Sequence, residues 1–367
     1  MRWRLPTDVG ATLALFLVTR AAIIAVNAFA GAFVQLNTAS CHECMPTGIA
    51  PLDDWARWDG RWYVEIAEHG YSYDANAQSS VAFFPLYPVL IRLLTLPFGT
   101  DHTALVVAGL IVSNVALLAA LSSLTRFART EIGAAAAERI AILLLVFPST
   151  VFLSAMYPES LMLLLAALSF VSARERRWWR AGIFAALGTL TKPFGIVVVG
   201  ALLIEAARQG RDGRRALLPL ALSPLVGVLW WLYLTAITGE PWAFFLTQTK
   251  FRHHPALFGA VGELFDPTAY DFPYFVAGLF ALTCLLVILS WRRLTSSVAA
   301  QGTLMIASML GNGTLSSSMR YELNVIPAFL MLATLLRGRW ATAAFVAASM
   351  ALALLLAAMF SLQYWVG

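Results

Sequence analysis

Long apolar runs recur along the whole chain and are separated by short polar segments rich in arginine. A helix needs about 20 mainly apolar residues to cross the hydrocarbon core of a bilayer. Only 12% of the 367 residues are charged, about half of what soluble domains carry. The pattern therefore predicts an all-α polytopic membrane protein rather than a soluble globular fold.

The apolar runs predict about eleven membrane-spanning helices. They cover residues 12–34, 104–125, 140–155, 159–173, 181–191, 194–207, 217–237, 273–291, 297–311, 323–336 and 340–362. Residues 81–98 are also apolar, but three prolines and Arg92 interrupt them, which favours a re-entrant or interfacial segment. Residues 36–98 then form a first outer loop and residues 238–272 a second, within one membrane domain covering residues 1–367.

Arginine clusters orient these helices, because cytoplasmic loops carry an excess of Lys and Arg. Placing Arg2 and Arg4 inside puts every later cluster on the same side. Those clusters are Arg126 with Arg129, residues 174–180, residues 208–215, Arg292 with Arg293, and Arg337 with Arg339. We therefore expect a cytoplasmic N-terminus and outer loops on the extracytoplasmic face of a bacterial cell membrane. Making residues 81–98 a span would put all the later clusters outside.

The net charge of +5 does not indicate nucleic-acid binding, because the basic residues sit where orientation signals are found. The sequence contains no P-loop, GxGxxG, GxSxG or HExxH motif, and we expect neither a metal nor a cofactor. Cys41 and Cys44 could form a small disulfide in an oxidising compartment or remain free thiols. A metal site would need more ligands than this stretch and His69 provide.

Residues 53–71, DDWARWDGRWYVEIAEHGY, dominate the first outer loop. Read as one helix, their aromatic and aliphatic residues fall within a single arc, and most of their charges lie opposite. Asp59 lies on the apolar arc, between Trp55 and Trp62. A poorly solvated carboxylate binds a proton more readily, which predicts a general base. The alternative is that Asp59 pairs with an arginine from another segment.

The other polar residues that do not orient helices fall on the same predicted face. Glu159 is at a hairpin tip, Lys192 lies where two short helices meet, and Arg320 precedes a span. Cations can hold a phosphate and a carboxylate can take a proton, so these residues suit a lipid-phosphate substrate. The alternatives are structural: Lys192 would snorkel to the interface, Glu159 would stabilise its helix electrostatically, and residues 250–254 would bind anionic headgroups.

Arg20 lies in the middle of the first predicted span and needs an internal partner there. An intramembrane arginine and outward-facing acids also fit an ion-coupled transporter or a lipid-linked-sugar flippase. Transporters usually carry internal repeats and polar residues at mid-membrane on several helices. Here the polar residues concentrate in outer loops and at helix ends, which favours an enzyme acting at the interface.

Five stretches resemble the PIG-V family of mannosyltransferases, relatives of glycosylphosphatidylinositol mannosyltransferase II in the GT-C superfamily. RWDGRWYVEIAEHGY at residues 57–71 and VAFFPLYPVLIRLL at residues 81–94 are the most specific. FPSTVFLSAMYPESL at 147–161, LTKPFG at 190–195 and SSMRYELNVIPAF at 317–329 extend the resemblance over most of the chain.

This resemblance implies a GT-C fold with catalysis in the first outer loop, on the side facing away from the cytoplasm. It also implies a polyprenyl-phosphate donor, typically carrying mannose, and inversion at the anomeric carbon. The acceptor would be a glycan, a glycolipid or a protein, and the need for a partner subunit is left open. The Trp-Asp motif of the family falls on Asp59, which would take the proton of the acceptor hydroxyl.

We expect Lys192 and Arg320 to hold the donor phosphate, with the lipid tail between helices. Because the leaving group carries a single phosphate, side chains can neutralise it without a metal. Further substrate contacts are expected from Arg57, His69, Tyr71, Glu159 and Tyr321.

Overall fold

The computed structural model describes residues 9–37, 47, 49–251, 259–263, 266 and 272–367. Within these ranges all regular secondary structure is helical. The predicted orientation signals Arg2 and Arg4, the pair Cys41 and Cys44, and residues 252–254 lie outside the described residues.

The α-helices occur in the following order. They are α1 (Val9–Phe33), α2 (Ala50–Asp53), α3 (Asp59–His69), α4 (Leu86–Thr95), α5 (His102–Ile132), α6 (Ala134–Ala137), α7 (Ile140–Leu145), α8 (Glu159–Arg174), α9 (Trp178–Thr191), α10 (Gly195–Arg208), α11 (Leu217–Leu220), α12 (Leu222–Thr238), α13 (Ala243–Lys250), α14 (Gly259–Glu263), α15 (Pro273–Ser290), α16 (Ser296–Gly311), α17 (Ser318–Glu322), α18 (Ile326–Leu335) and α19 (Arg339–Ser361). Short 3-10 turns lie at Ser80–Ala82, Thr150–Leu153 and Asp212–Ala216.

Five of these segments are long and apolar enough to cross a membrane, which identifies an integral membrane protein. They are α1, α5, the run Asp212–Thr238 that contains α11 and α12, α15 and α19. The predicted spans at 159–173, 181–191, 194–207 and 297–311 are the shorter helices α8, α9, α10 and α16, of 14 to 16 residues. Helix α8 is buried on nearly every side and forms the centre of the bundle, between α5 and α9.

The prediction of one continuous span at 140–155 is wrong. Helix α7 ends at Leu145, and the chain continues through the 3-10 turn Thr150–Leu153. Pro148 lies between the two segments, and proline has no N–H for the helical ladder and disfavours helical conformation in the residue before it. The break leaves backbone carbonyl groups in the interior without helical partners.

Arg20 on α1 satisfies these groups. Its guanidinium donates to the Leu145 and Thr150 carbonyl oxygens at 2.9 and 3.3 Å. It also donates to the Thr150 and Ser154 hydroxyls at 3.1 and 2.9 Å. The predicted internal partner of Arg20 is therefore the broken segment between α7 and α8.

Residues 81–98 contain α4, which is ten residues long. Such a helix extends about 15 Å, roughly half the thickness of the hydrocarbon core. It packs against α3 and α5, so it does not span the membrane as a helix. The re-entrant or interfacial placement of this segment stays a prediction.

The predicted helix over residues 53–71 is wrong in its first third. Helix α2 ends at Asp53, and α3 begins only at Asp59. Between them, Trp58 has φ 56° and ψ −118°, a conformation that side-chain-bearing residues rarely adopt. Trp55 therefore does not share a helix with Asp59, and Asp59 owes its surroundings to a helix start rather than to an aromatic face.

Candidate active site

Asp59 is the first residue of α3. The amino end of a helix carries partial positive charge, which stabilises a carboxylate there. The sharp turn at Trp58 directs the chain into this position, and the Asp59 side chain remains partly exposed. A carboxylate at a helix start with access to solvent is well placed to meet a substrate.

Tyr157 holds this turn from the loop before α8. Its hydroxyl donates to the Arg57 carbonyl oxygen and accepts the Asp59 backbone N–H, both at 3.1 Å. Burial, assisted by the nearby Asp59 carboxylate, raises the pKa of Tyr157 well above its usual value. The hydroxyl therefore keeps its proton and bridges both sides of the strained residue.

Arg320 on α17 supplies the partner of Asp59. Its Nη1 atom donates to Asp59 Oδ2 at 2.5 Å, and its Nη2 atom donates to the Ser317 and Tyr321 hydroxyls at 3.2 and 3.1 Å. The alternative in which Asp59 pairs with an arginine from another segment is thus the one found. Pairing does not exclude a role as base, because a substrate anion can replace the carboxylate on the guanidinium.

Lys192 and Glu159 form a second ion pair beside the first. Lys192 is in extended conformation at the break between α9 and α10, where Pro193 follows it. Glu159 begins α8 and is fully buried. Its Oε1 atom also lies 3.9 Å from Arg320 Nε, so the carboxylate joins both cations. Lys192 therefore points into the protein instead of snorkelling to the membrane interface.

The four charges balance one another in a largely buried site. Burial alone would lower the pKa of Arg320, but the charges of Asp59 and Glu159 outweigh it and keep the pKa above its ordinary value. The guanidinium thus remains charged. Tyr321 lies beneath both cations, with its ring centroid 4.7 Å from Lys192 Nζ and 5.0 Å from the Arg320 guanidinium, where cation–π attraction is favourable.

The structure thus brings together Asp59, Arg320, Glu159, Lys192 and Tyr321, five of the eight predicted site residues. They come from α3, α8, α17 and the break after α9. In the part of the chain that is described, no three His, Cys, Asp or Glu side chains converge as a metal site would require.

Arg57 lies next to this network, whereas His69 and Tyr71 have other surroundings. Arg57 is buried and pairs with Asp54 at 2.8 Å. His69 is 71% exposed at the far end of α3, about 15 Å along the helix from Asp59. Tyr71 packs against Trp230 and Tyr233 and donates to the Phe83 carbonyl oxygen at 3.2 Å.

Three contributors are absent from the sequence prediction. Tyr157 and Ser317 lie within stretches that carry the family resemblance, so their motifs contain a signal for them. Trp365 follows α19, and its ring lies 5.2 Å from the Arg320 guanidinium. Nothing in its local sequence distinguishes Trp365 from the other tryptophans of the chain.

Comparison with known proteins connects this geometry to one family. The sequence profile of the mannosyltransferase (PIG-V) family matches residues 11–210. The GPI alpha-1,6-mannosyltransferase 2 of Rattus norvegicus is 32% identical over 166 residues, which are 43% of this chain and 33% of the rat protein. The Homo sapiens protein of the same name is 29% identical over 209 residues, 53% of this chain and 40% of that protein. The matched region thus spans well under half of these relatives.

Solved structures show the same fold. ArnT from Cupriavidus metallidurans, crystallised with undecaprenyl phosphate, aligns with a TM-score of 0.54 at 16% identity, over 90% of this chain and 60% of ArnT. The oligosaccharyltransferase of Archaeoglobus fulgidus, in complex with zinc and sulfate, aligns with a TM-score of 0.52 at 13% identity, over 96% of this chain and 53% of that one. The predicted GT-C fold is therefore confirmed.

Proposed function

We propose that this chain, which belongs to the PIG-V mannosyltransferase family, is an inverting glycosyltransferase that moves mannose from a polyprenyl-phosphate donor to an acceptor hydroxyl. One observation carries the proposal. Asp59, Arg320, Glu159 and Lys192 meet in one network although the sequence separates them widely. The network combines a candidate base with two cations, which is what transfer from a lipid phosphate requires.

Lys192 and Arg320 bind the donor phosphate in this proposal. Charge-assisted hydrogen bonds from Lys and Arg are the strong contacts that proteins make to phosphate. A sugar-bearing polyprenyl phosphate carries one negative charge at its diester, and the leaving lipid phosphate gains more. Two cations already held together by Glu159 stabilise this charge as it develops.

Asp59 accepts the proton of the acceptor hydroxyl. The hydroxyl oxygen forms a bond to the anomeric carbon while the bond from that carbon to the phosphate oxygen breaks, and the electron pair leaves with the lipid phosphate. Attack opposite to the leaving group inverts the anomeric configuration. General-base assistance of this kind contributes about 10²–10⁴ in rate.

Donor binding frees the base. Arg320 donates to Asp59 in the structure, so the incoming phosphate competes with that carboxylate for the guanidinium. Once the phosphate takes Arg320, the Asp59 carboxylate is released from the guanidinium and accepts a hydrogen bond from the acceptor hydroxyl. The donor therefore binds before the acceptor reacts.

The site faces away from the cytoplasm in this proposal. Helix α5 is 31 residues long, about 46 Å, and the Ser113 hydroxyl in its first half donates to the Tyr157 carbonyl oxygen at 2.9 Å. Arg126 and Arg129 lie near its other end. The positive-inside rule favours a cytoplasmic position for these arginines, which supports a site on the extracytoplasmic face. The membrane in this proposal is a bacterial cell membrane.

Incubation of the purified chain with polyprenyl-phosphate mannose tests the proposal. Candidate acceptors are a glycolipid, a lipid-linked glycan and a peptide, with mass spectrometry used to find a product one hexose heavier. Donors carrying glucose or arabinose test the sugar, and isolated membranes test the need for a partner subunit. Substrate-dependent flux in liposomes without any new glycosidic bond would instead support the transporter or flippase alternative.

A further inference from the structure

The six residues that follow α19, numbers 362–367 and here called the strap, fold back across the site. The Asn37 backbone N–H donates to the Leu362 carbonyl oxygen at 3.0 Å. Gln363 adopts φ 70°, a left-handed conformation that reverses the chain where the helix ends. Val366 is almost fully buried, so the strap is packed against the bundle.

The strap contacts the turn that carries Asp59. When the Gln363 amide is oriented with its oxygen towards Arg57, that oxygen accepts from Arg57 Nε at 3.0 Å and from Arg57 Nη1 at 2.5 Å. The Trp365 ring meets the Trp58 ring edge-on, with centroids 5.3 Å apart. The two residues immediately before Asp59 are thus both held by the strap.

The strap also contacts the segment that carries Arg320. The Trp365 indole N–H donates to the Ser316 carbonyl oxygen at 2.5 Å, and the Arg320 guanidinium lies over the same ring. A Cβ atom at Gly367 would come within 2.6 Å of Trp365 Cζ2, so Gly367 packs closely against the indole. The hydrogen bond to Ser316 and this packing hold the indole beside Arg320.

We infer that Trp365 is a positioning residue for Arg320. Gln363 is, in the same way, a positioning residue for the turn that precedes Asp59. The inference rests on the proposed function, because it assigns Arg320 to the donor phosphate. An arginine side chain has many rotamers, and donor binding must release one of its carboxylate partners. A fixed aromatic ring keeps the guanidinium in place during that exchange through cation–π attraction.

A double-mutant cycle on binding of sugar-free polyprenyl phosphate tests the role of Trp365. The variants are Trp365→Leu, Arg320→Gln and the pair, each measured by titration in nanodiscs after a thermal unfolding check. Trp365→Leu should weaken binding about 3- to 30-fold, the range expected for cation–π pairs. The same change should have little effect once Arg320 is already Gln.

Trp340→Leu is the matched control. Trp340 also lies beside an arginine, with its ring 4.5 Å from the Arg339 guanidinium, but it is 75% exposed at the start of α19. It should leave binding unchanged. Trp365→Met also removes the aromatic ring and takes the place of Trp365→Leu if that variant does not fold.

The outcomes separate the inference from the proposed function. If the wild-type protein binds polyprenyl phosphate and Trp365→Leu binds it equally well, the inference is overturned while the donor assignment stands. An equal loss in the Arg320→Gln background shows that Trp365 serves packing only, which also overturns it. A wild-type chain that binds no polyprenyl phosphate overturns the donor assignment, and the inference fails with it.

Gln363 has a separate test based on steady-state kinetics. Gln363→Leu removes the acceptor for Arg57 and should lower kcat more than it raises the donor KM, because it acts on the Asp59 turn. Gln363→Glu still accepts from Arg57 and should restore most of the rate. A parallel change in KM, or no rescue by Glu, would overturn this part of the inference.

Discussion

The Arg320 guanidinium donates to Asp59 Oδ2 at 2.5 Å, although the two residues are 261 positions apart. The contact joins the candidate base to a cation proposed to bind the donor phosphate. A phosphate that takes Arg320 must displace the carboxylate. The proposed base and the donor phosphate therefore compete for the Arg320 guanidinium. Mutation of Asp59 separates the effect on proton transfer from the effect on phosphate binding.

Asp59→Asn should abolish sugar transfer while strengthening the binding of sugar-free polyprenyl phosphate. The loss of transfer should be about 10²–10⁴-fold, the contribution of a general base. The stronger binding follows because a neutral amide competes less well than a carboxylate for Arg320. Product mass and lipid titration measure the two effects. Asp74→Asn, at an exposed position in the same loop, is the control. Near-normal turnover of Asp59→Asn would show that Asp59 is not the base.

Lys192→Met should weaken donor binding and also destabilise the protein. Glu159 is fully buried, and removing one partner of a buried ion pair costs about 3–5 kcal/mol. Combining the change with Glu159→Gln should restore much of the stability without restoring donor affinity. Thermal unfolding and the donor KM measure the two effects. Lys250→Met is the control, because Lys250 is the only other lysine of the chain and is exposed. It should change neither the stability nor the donor KM. An unaltered donor KM in Lys192→Met would argue against a phosphate-binding role for Lys192.

Tyr157→Phe should lower kcat strongly with a smaller effect on substrate affinity. The missing hydroxyl leaves the Asp59 N–H without this partner, and the Arg57 carbonyl oxygen keeps only the Gly60 N–H at 3.0 Å. A buried polar group left unpaired costs about 1–3 kcal/mol. Tyr87→Phe is the control, since the Tyr87 hydroxyl is equally buried but contacts the Gly109 carbonyl oxygen at 2.9 Å and the Ser113 hydroxyl at 2.7 Å rather than the turn before Asp59. Equal losses of rate in both variants would show that Tyr157 only contributes packing.

Arg20→Met should destabilise the protein without a specific effect on catalysis. Its guanidinium satisfies oxygens of Leu145, Thr150 and Ser154 in the bundle interior, and each buried group left unpaired costs about 1–3 kcal/mol. Arg126→Met breaks an exposed pair with Glu175, which should cost at most about 1 kcal/mol. Thermal unfolding in detergent compares them, and equal midpoints would contradict the assigned role of Arg20.

The candidate site was accessible to sequence reasoning through motifs rather than through helix geometry. The helical projection put Asp59 on an aromatic face, but α3 starts at Asp59 and the backbone turns sharply at Trp58. Helical periodicity does not extend upstream of Asp59, because α2 ends at Asp53 and the chain turns before α3. His69 shows the same limit, since its place in the motif did not reveal that it lies at the exposed far end of α3.

Sequence alone determined that the chain is a helical membrane protein, because apolar run length and arginine distribution are local properties that the bilayer selects. It also identified Asp59, Glu159, Lys192 and Arg320 as candidates. Only the tertiary structure decided which carboxylate pairs with which cation, and that the strap contacts both sides of the site. Such contacts join residues far apart in the chain, so they depend on how the helices pack, and no local pattern records them.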